Sequence, residues 1–305
     1  MSSPGVDHSR GLDVESWLQA FHTYRDSGDM PNAIAALDKV SDVLHARVRA
    51  RTAISPVLPS IVSSFMPKSG GTFLFNRLVH DCGYVEYHWS VSHPQALHAA
   101  YAVPRALRNY LRGGCVSHTH YLPSPHNLAV LEGAGVRKVW VHVRHPCEVV
   151  QSAYHHYAGE GHGDGEIARE RSEQAVREAT ELGLDVDVAD RRKRTAFFRA
   201  QIPWVVDWLR MWVLHAAEHP GFVHFTSHRD LRDPVELLNG VFAAFGVPRR
   251  LAELPAHRPQ DRRRRGQVRD WRHGLDDDAI GEAVTLIESR LAPARWVRDL
   301  CGLEG

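Results

Sequence analysis

The segment between residues 61 and 79 constrains the fold most. A strand candidate, Ile61–Phe65, stops at Pro67, gives way to Lys68-Ser69-Gly70-Gly71, and is followed by an apolar helix over Thr72–Val79, closing near Gly83. A buried strand that feeds a helix through so short a glycine turn is one half of a βαβ unit, whose next strand runs parallel. The same grammar returns twice. Val139–Val143 is an apolar strand followed by a helix over Pro146–Tyr157, and Phe222–Thr226 is followed by one over Pro234–Phe245, ended by Gly246 and Pro248. Cys115–Ser117 is a further short strand. These runs predict an α/β domain over residues 56–305, with a central, mainly parallel sheet flanked by helices.

Residues 1–55 read differently. Leu12, Trp17, Leu18, Phe21 and Tyr24 recur at helical spacing, Asp26-Ser27-Gly28-Asp29 interrupts, and Pro31 opens a second run of Ala33, Ile34, Ala36, Leu37, Val40 and Leu44. This resembles one tetratricopeptide-type hairpin. A single copy builds no solenoid, so a helical cap on the main domain is expected, or a surface for a protein partner or a second copy of the chain. Pro56 and Pro59 mark the boundary. Residues 159–195 are rich in Gly, Glu and Arg with little periodicity, and are expected to form a mobile, partly helical insertion on the acceptor side.

Composition excludes several classes. With 43% hydrophobic and 24% charged residues the chain is not disordered. A net charge of +1 argues against a general nucleic-acid binder, though not against a local anion site. Cys82, Cys115, Cys147 and Cys301 are scattered without a CxxC pair, so a zinc ribbon or disulfide framework is not expected. The polar start and the lack of an apolar run long enough to span a bilayer predict a cytoplasmic protein with no membrane span.

Three constellations carry chemistry. Lys68-Ser69-Gly70-Gly71-Thr72, between a strand and a helix, joins backbone N–H donors, a helix N-terminus, a lysine and two hydroxyls around space for an anion. It is not a Walker loop, in which the lysine follows the glycines. Arg144 leaves a strand at its C-terminal edge, where ligands of open α/β sheets bind, and Ser152 lies eight residues further, two helical turns on. Read alone, Arg144 serves a phosphate or pairs with Glu148. The third is Arg264-Arg265-Gly266 with Asp270-Trp271-Arg272, a basic loop that is a solvated face or a cover over a nucleotide.

In this order the three resemble the sulfotransferases that use 3′-phosphoadenosine 5′-phosphosulfate (PAPS) and release 3′-phosphoadenosine 5′-phosphate (PAP). Their fold is similar to that of P-loop NTPases. Pro67-Lys68-Ser69-Gly70-Gly71-Thr72-Phe73 resembles the family's Pro-Lys-Ser-Gly-Thr-Thr-Trp loop for the 5′-phosphosulfate, departing at Gly71 and Phe73. Arg144, Pro146 and Ser152 match the 3′-phosphate motif, and Arg264–Arg272 resembles the late Arg-Lys-Gly-x-x-Gly-Asp-Trp-Lys loop, with Arg269 where a glycine is usual. The resemblance implies a His base near Thr119-His120, with His118 as competitor. Asn127, seven residues after His120, fits bacterial members. Trp204, in Ile202–Trp208, is a candidate adenine partner, although Trp204, Trp208 and Trp212 also read as a core stripe. Cofactor contacts are therefore expected from Lys68, Ser69, Gly70, Gly71, Thr72, Phe73, Arg144, Ser152, Arg264, Arg265, Gly266 and Trp204, and catalysis from His120, Lys68 and His118.

The implied reaction moves a sulfuryl group in line from PAPS to a hydroxyl on a small-molecule, sugar or lipid-like acceptor, with no metal. His155, His156 and His162 near Asp164 and Glu166 are spaced too loosely to suggest one. The rival is a P-loop-type kinase, which would need magnesium.

Overall fold

The computed structural model describes residues 14–27, 29, 31–39, 41, 58–92, 100–159, 166–187, 189–255, 270–291, 296, 297 and 299. Arg264, Arg265 and Gly266, and with them most of the basic loop, lie outside the described residues, as do His162, Asp164 and Cys301. In chain order the elements are α1 (Val14–Asp26), α2 (31–39), β1 (Ser63–Phe65), α3 (Gly71–Asp81), β2 (Val85–Glu86), β3 (Ser90–Ser92), β4 (Ala100–Ala102), α4 (Pro104–Tyr110), β5 (Cys115–Val116) and α5 (Pro125–Gly133). They continue with β6 (Val139–Val143), α6 (Pro146–Tyr157), α7 (Glu166–Glu181), α8 (Arg191–Glu218), β7 (Val223–Ser227), a short 3-10 helix (His228–Arg232), α9 (Pro234–Ala244) and α10 (Asp277–Leu291).

β1, β6 and β7 form a parallel sheet in the order β1-β6-β7, and the parallel pair β2-β5 continues it through a single parallel bridge just before β1. Val85 pairs with Cys115, Ile61 bridges Val116, Ser63 pairs with Trp140, and Val139 pairs with Val223. The fold is thus α/β with a parallel sheet flanked by helices. A separate antiparallel pair, β3 with β4, lies outside that sheet.

The two-residue alternation of the strands separates two apolar layers. Ile61, Phe65 and Trp140 face α3 and α9 and pack with Phe73, Leu74, Leu78, Leu238 and Phe242. Val62, Val139, Val141 and Val143 face the other way, onto Cys147, Val150, Trp208 and Trp212 of α6 and α8. Burial on both faces is why β6 is apolar at every position except His142. Phe21, Ala33, Ala36 and Leu37 of the first two helices join this second layer, and Tyr87 Oη donates to the Ser41 carbonyl at 2.7 Å.

The region read as an unpatterned insertion holds two ordered pieces. α7 buries Ala175 and Ala179, and the Ser172 hydroxyl donates to the Gly159 carbonyl at 2.7 Å. α8 begins at Arg191 behind the Asp190 cap. Among the described residues no helix is long and apolar enough to cross a membrane.

Candidate active site

The C-terminal ends of β1, β6 and β7 converge on the Lys68 loop. Lys68 has φ +59 and Gly70 φ +97, so a side-chain-bearing residue holds a left-handed backbone in a loop that needs two such turns. The loop is bonded down to β6. The Met66 N–H donates to the His142 carbonyl at 2.8 Å, His142 Nε2 lies 3.0 Å from the Ser69 carbonyl, and Arg144 Nη1 donates to the Lys68 carbonyl at 3.1 Å. A carbonyl only accepts, so His142 Nε2 carries the proton and Nδ1 accepts from the Thr226 hydroxyl at 2.7 Å; that hydroxyl in turn accepts from Trp140 Nε1 at 2.7 Å. Burial pushes His142 down to about 3, so it stays neutral. In a trans peptide the N–H points opposite to the C=O. Turning the Ser69 carbonyl toward His142 therefore turns the Gly70 N–H away from the sheet.

What that leaves is an anion cradle. Among the described residues the N–H groups of Gly70, Gly71 and Thr72 make no hydrogen bond, and the fully buried Ser69 Oγ has no partner. An unsatisfied buried hydroxyl beside three free amides at a helix N-terminus suits a phosphate or sulfate group.

Both glycines have steric reasons. A Cβ on Gly70 would lie 2.6 Å from Leu231 Cδ1, and one on Gly71 would lie 2.6 Å from Phe65 Cγ. Phe65 thus occupies the space that a side chain at position 71 would fill. Phe73 is buried beneath the Arg77 guanidinium, 5.3 Å from its ring centre.

Serines of β1 align the histidine pair beside the loop. Ser63 Oγ donates to the Ser117 carbonyl at 2.8 Å, Thr119 Oγ1 to the Ser63 carbonyl at 2.6 Å, and Ser64 Oγ to the Tyr121 carbonyl at 2.8 Å. Residues 117–121 therefore run extended along β1, and His118 and His120 fall on one side with ring centroids 4.8 Å apart. His120 Nδ1 is 2.6 Å from the Phe65 carbonyl, so Nδ1 holds the proton and Nε2 the free lone pair. Burial, with a smaller effect from the Lys68 ammonium, holds the His120 pKa below its ordinary value. His118 Nε2 lies 3.3 Å from Thr72 Oγ1. Asn127 serves the frame: it donates to the Ala100 and Leu122 carbonyls at 2.8 and 2.9 Å and accepts from the Ala102 N–H at 2.8 Å.

Arg144 is doubly engaged, to the Lys68 carbonyl and through Nε to Glu148 Oε2 at 2.8 Å. Two more cations act on its neighbour His145: Arg272, already part of the basic constellation in the sequence, and Arg229, which the sequence reading left without a role. His145 is pushed down to about 4, first by burial; Glu148 opposes the shift, and the charges of Arg272, Arg144 and Arg229, from three separate elements, add to it. Arg229 is positioned by the 3-10 turn, in which the Ser227 N–H donates to Asp230 Oδ2 at 2.7 Å. Arg272 is positioned by Trp271, which stacks on Phe198 with centroids 5.9 Å apart and whose carbonyl accepts from Gln151 Nε2 at 2.8 Å. The described end of the basic loop thus returns beside Arg144.

Ser152 is half-buried on α6. Trp208 and Trp212 are core residues, as the stripe implies, and Trp208 Nε1 donates to the His120 carbonyl at 3.4 Å; Trp204, one turn earlier, is partly buried. A groove of about 720 Å³ between α8, β7 and Trp296 contains Arg229 but none of the loop or histidine residues, so it lies beside this site.

The missed His142 had a readable signal. It alternates with Val139, Val141 and Val143 in a strand buried on both faces, where a histidine requires partners. Arg229 had none beyond following a strand.

No family model matches the chain, and no curated protein matches it. Among solved structures it is similar to the crystal structure of a sulfotransferase from Alicyclobacillus acidocaldarius, at 15% identity and a TM-score of 0.42, over 79% of this chain and 96% of that one.

Proposed function

We propose that this chain is a sulfotransferase that draws its sulfuryl group from PAPS and delivers it to an acceptor hydroxyl. One observation carries the reading. A preformed anion cradle and a histidine with a fixed tautomer sit at the same strand ends, and the charge of Lys68, a residue of the cradle loop, acts on that histidine. His120 Nε2 accepts the proton of the acceptor hydroxyl as its oxygen bonds to sulfur. The bond from sulfur to the 5′-phosphate oxygen breaks, and its electron pair stays on that phosphate. Lys68, the N–H groups of Gly70 and Gly71, and Thr72 face the growing charge, which stabilises the transition state more than the ground state. His118 sits against Thr72 and orients its hydroxyl.

Arg144 and Ser152, with Arg264, Arg265 and Gly266, bind the 3′-phosphate, and Arg229 and Arg272 add to that positive field. Trp204 is the proposed adenine partner. The acceptor is a small molecule, and the reaction uses no metal. The test is incubation with PAPS and a panel of phenols, sugars and alkyl alcohols without magnesium, reading PAP by chromatography. Acceptor-dependent PAP release, unchanged by a chelator, is expected. Magnesium-dependent ATP consumption without PAP release would replace this reading with a phosphotransferase.

A further inference from the structure

At the far end of β7 from the loop, α8 finishes in His215-Ala216-Ala217-Glu218-His219, followed by Pro220. Steps of three and four residues place His215, Glu218 and His219 on one side of the last turn. One ligand atom from each lies within 4.8 Å of the other two. The arrangement is held from below. The His215 ring stands edge-on to Phe222, with centroids 5.1 Å apart, and to the fully buried Trp212 at 6.4 Å.

His219, as the residue before a proline, has left helical geometry, with φ −127 and ψ 74. Its N–H nevertheless donates to the His215 carbonyl at 2.9 Å, and the Phe222 N–H donates to the His219 carbonyl at 3.1 Å. The two imidazole rings lie 4.4 Å apart at 42°. Two imidazoles and one carboxylate are thus gathered at the negative end of a 28-residue helix, where a cation is favoured.

We propose that His215, Glu218 and His219 form a binding site for a late first-row divalent metal of the zinc class, with water completing the shell. Imidazole and carboxylate together suit zinc, nickel or copper, whereas magnesium and calcium prefer all-oxygen shells. The five residues of β7 separate this site from the strand ends that carry Arg144 and the loop, about 17 Å away. The metal therefore clamps the last turn of α8 and its cap, and takes no part in the chemistry at His120. Residues 155–166, where the sequence analysis weighed a metal and set it aside, play no part in this site.

The experiment is calorimetric titration of the full chain with zinc chloride, without chelator or nucleotide, on the wild type and on His215→Ala/His219→Ala. Both side chains are at least partly exposed, and circular dichroism checks that the variant folds. One zinc per chain is expected, with affinity at least about tenfold lower in Glu218→Gln and absent in the double variant. Cobalt should give visible d–d bands that the double variant lacks, and magnesium should give no heat. Zinc binding of unchanged strength and stoichiometry in the double variant would place the metal elsewhere and overturn the assignment, as would a wild type that binds no zinc. Neither result depends on whether the chain transfers a sulfuryl group.

Discussion

The two halves of the candidate site are built on different terms. Around the Lys68 loop nearly every group is aimed by another: His142 turns the Ser69 peptide, Arg144 holds the Lys68 carbonyl, and Phe65 fixes the proton of His120. Around His145 the charges come from three separate elements, and Arg229 and Arg272 are exposed. Preorganised donors lower a barrier because nothing has to rearrange as charge develops. Exposed arginines attract and position a charged ligand, and salt screens them. The first half should therefore govern turnover, and the second the affinity for the nucleotide.

Substitutions at the proposed base should show the largest effect. His120→Ala is expected to lower kcat by about 10²- to 10⁴-fold while leaving PAP affinity unchanged, and His118→Ala to cost less. A dead His118→Ala beside an active His120→Ala would reverse the two roles. The pH profile sharpens the point. A lowered pKa means that the ring loses its proton at lower pH, so the acid limb of kcat/KM should fall below His120's ordinary value near 6.5. An acid limb above that value would exclude this base.

Lys68→Ala comes next, with a loss of about 10²- to 10³-fold carried mainly in kcat. If the whole loss fell in KM, Lys68 would belong with the binding half. Arg144→Ala should act mostly on affinity. Losing a hydrogen-bonded charge contact of about 1.5–3 kcal/mol weakens PAP binding by roughly 10- to 150-fold, together with a smaller fall in kcat from the freed Lys68 carbonyl. The smallest effect belongs to Arg229→Ala and Arg272→Ala, each expected to raise the donor KM a few-fold at low salt and hardly at all at high salt. A salt-independent loss at either position would mean a direct, desolvated contact.

The same contrast explains what the sequence disclosed. β6 and the start of α6 were legible because a strand buried on both faces is mostly apolar, broken here by His142, and Pro146 marks the first helical turn; β1, which is Ser-Ser-Phe, was legible from its place before Pro67 and the glycine turn. The Lys68 loop was legible because its chemistry is local in the chain. β2 has two residues, and β3–β4 is a short Ser- and Ala-bearing pair, so neither shows a period. α8 was obscured by Pro203 inside it and by the charged Arg191–Arg194 run at its start. Arg229 and Arg272 act on His145 from 84 and 127 positions away in the chain; the basic loop pointed to Arg272, and no local pattern announces Arg229. Gly71 departs from the motif for a reason no local pattern carries: the Phe65 ring lies where its side chain would be.

Calorimetric titration with PAP in magnesium-free buffer, with ATP as the control, tests the central claim most directly. Tight binding of PAP with weak binding of ATP is the predicted result. No binding of PAP, with ATP bound only when magnesium is added, would contradict it.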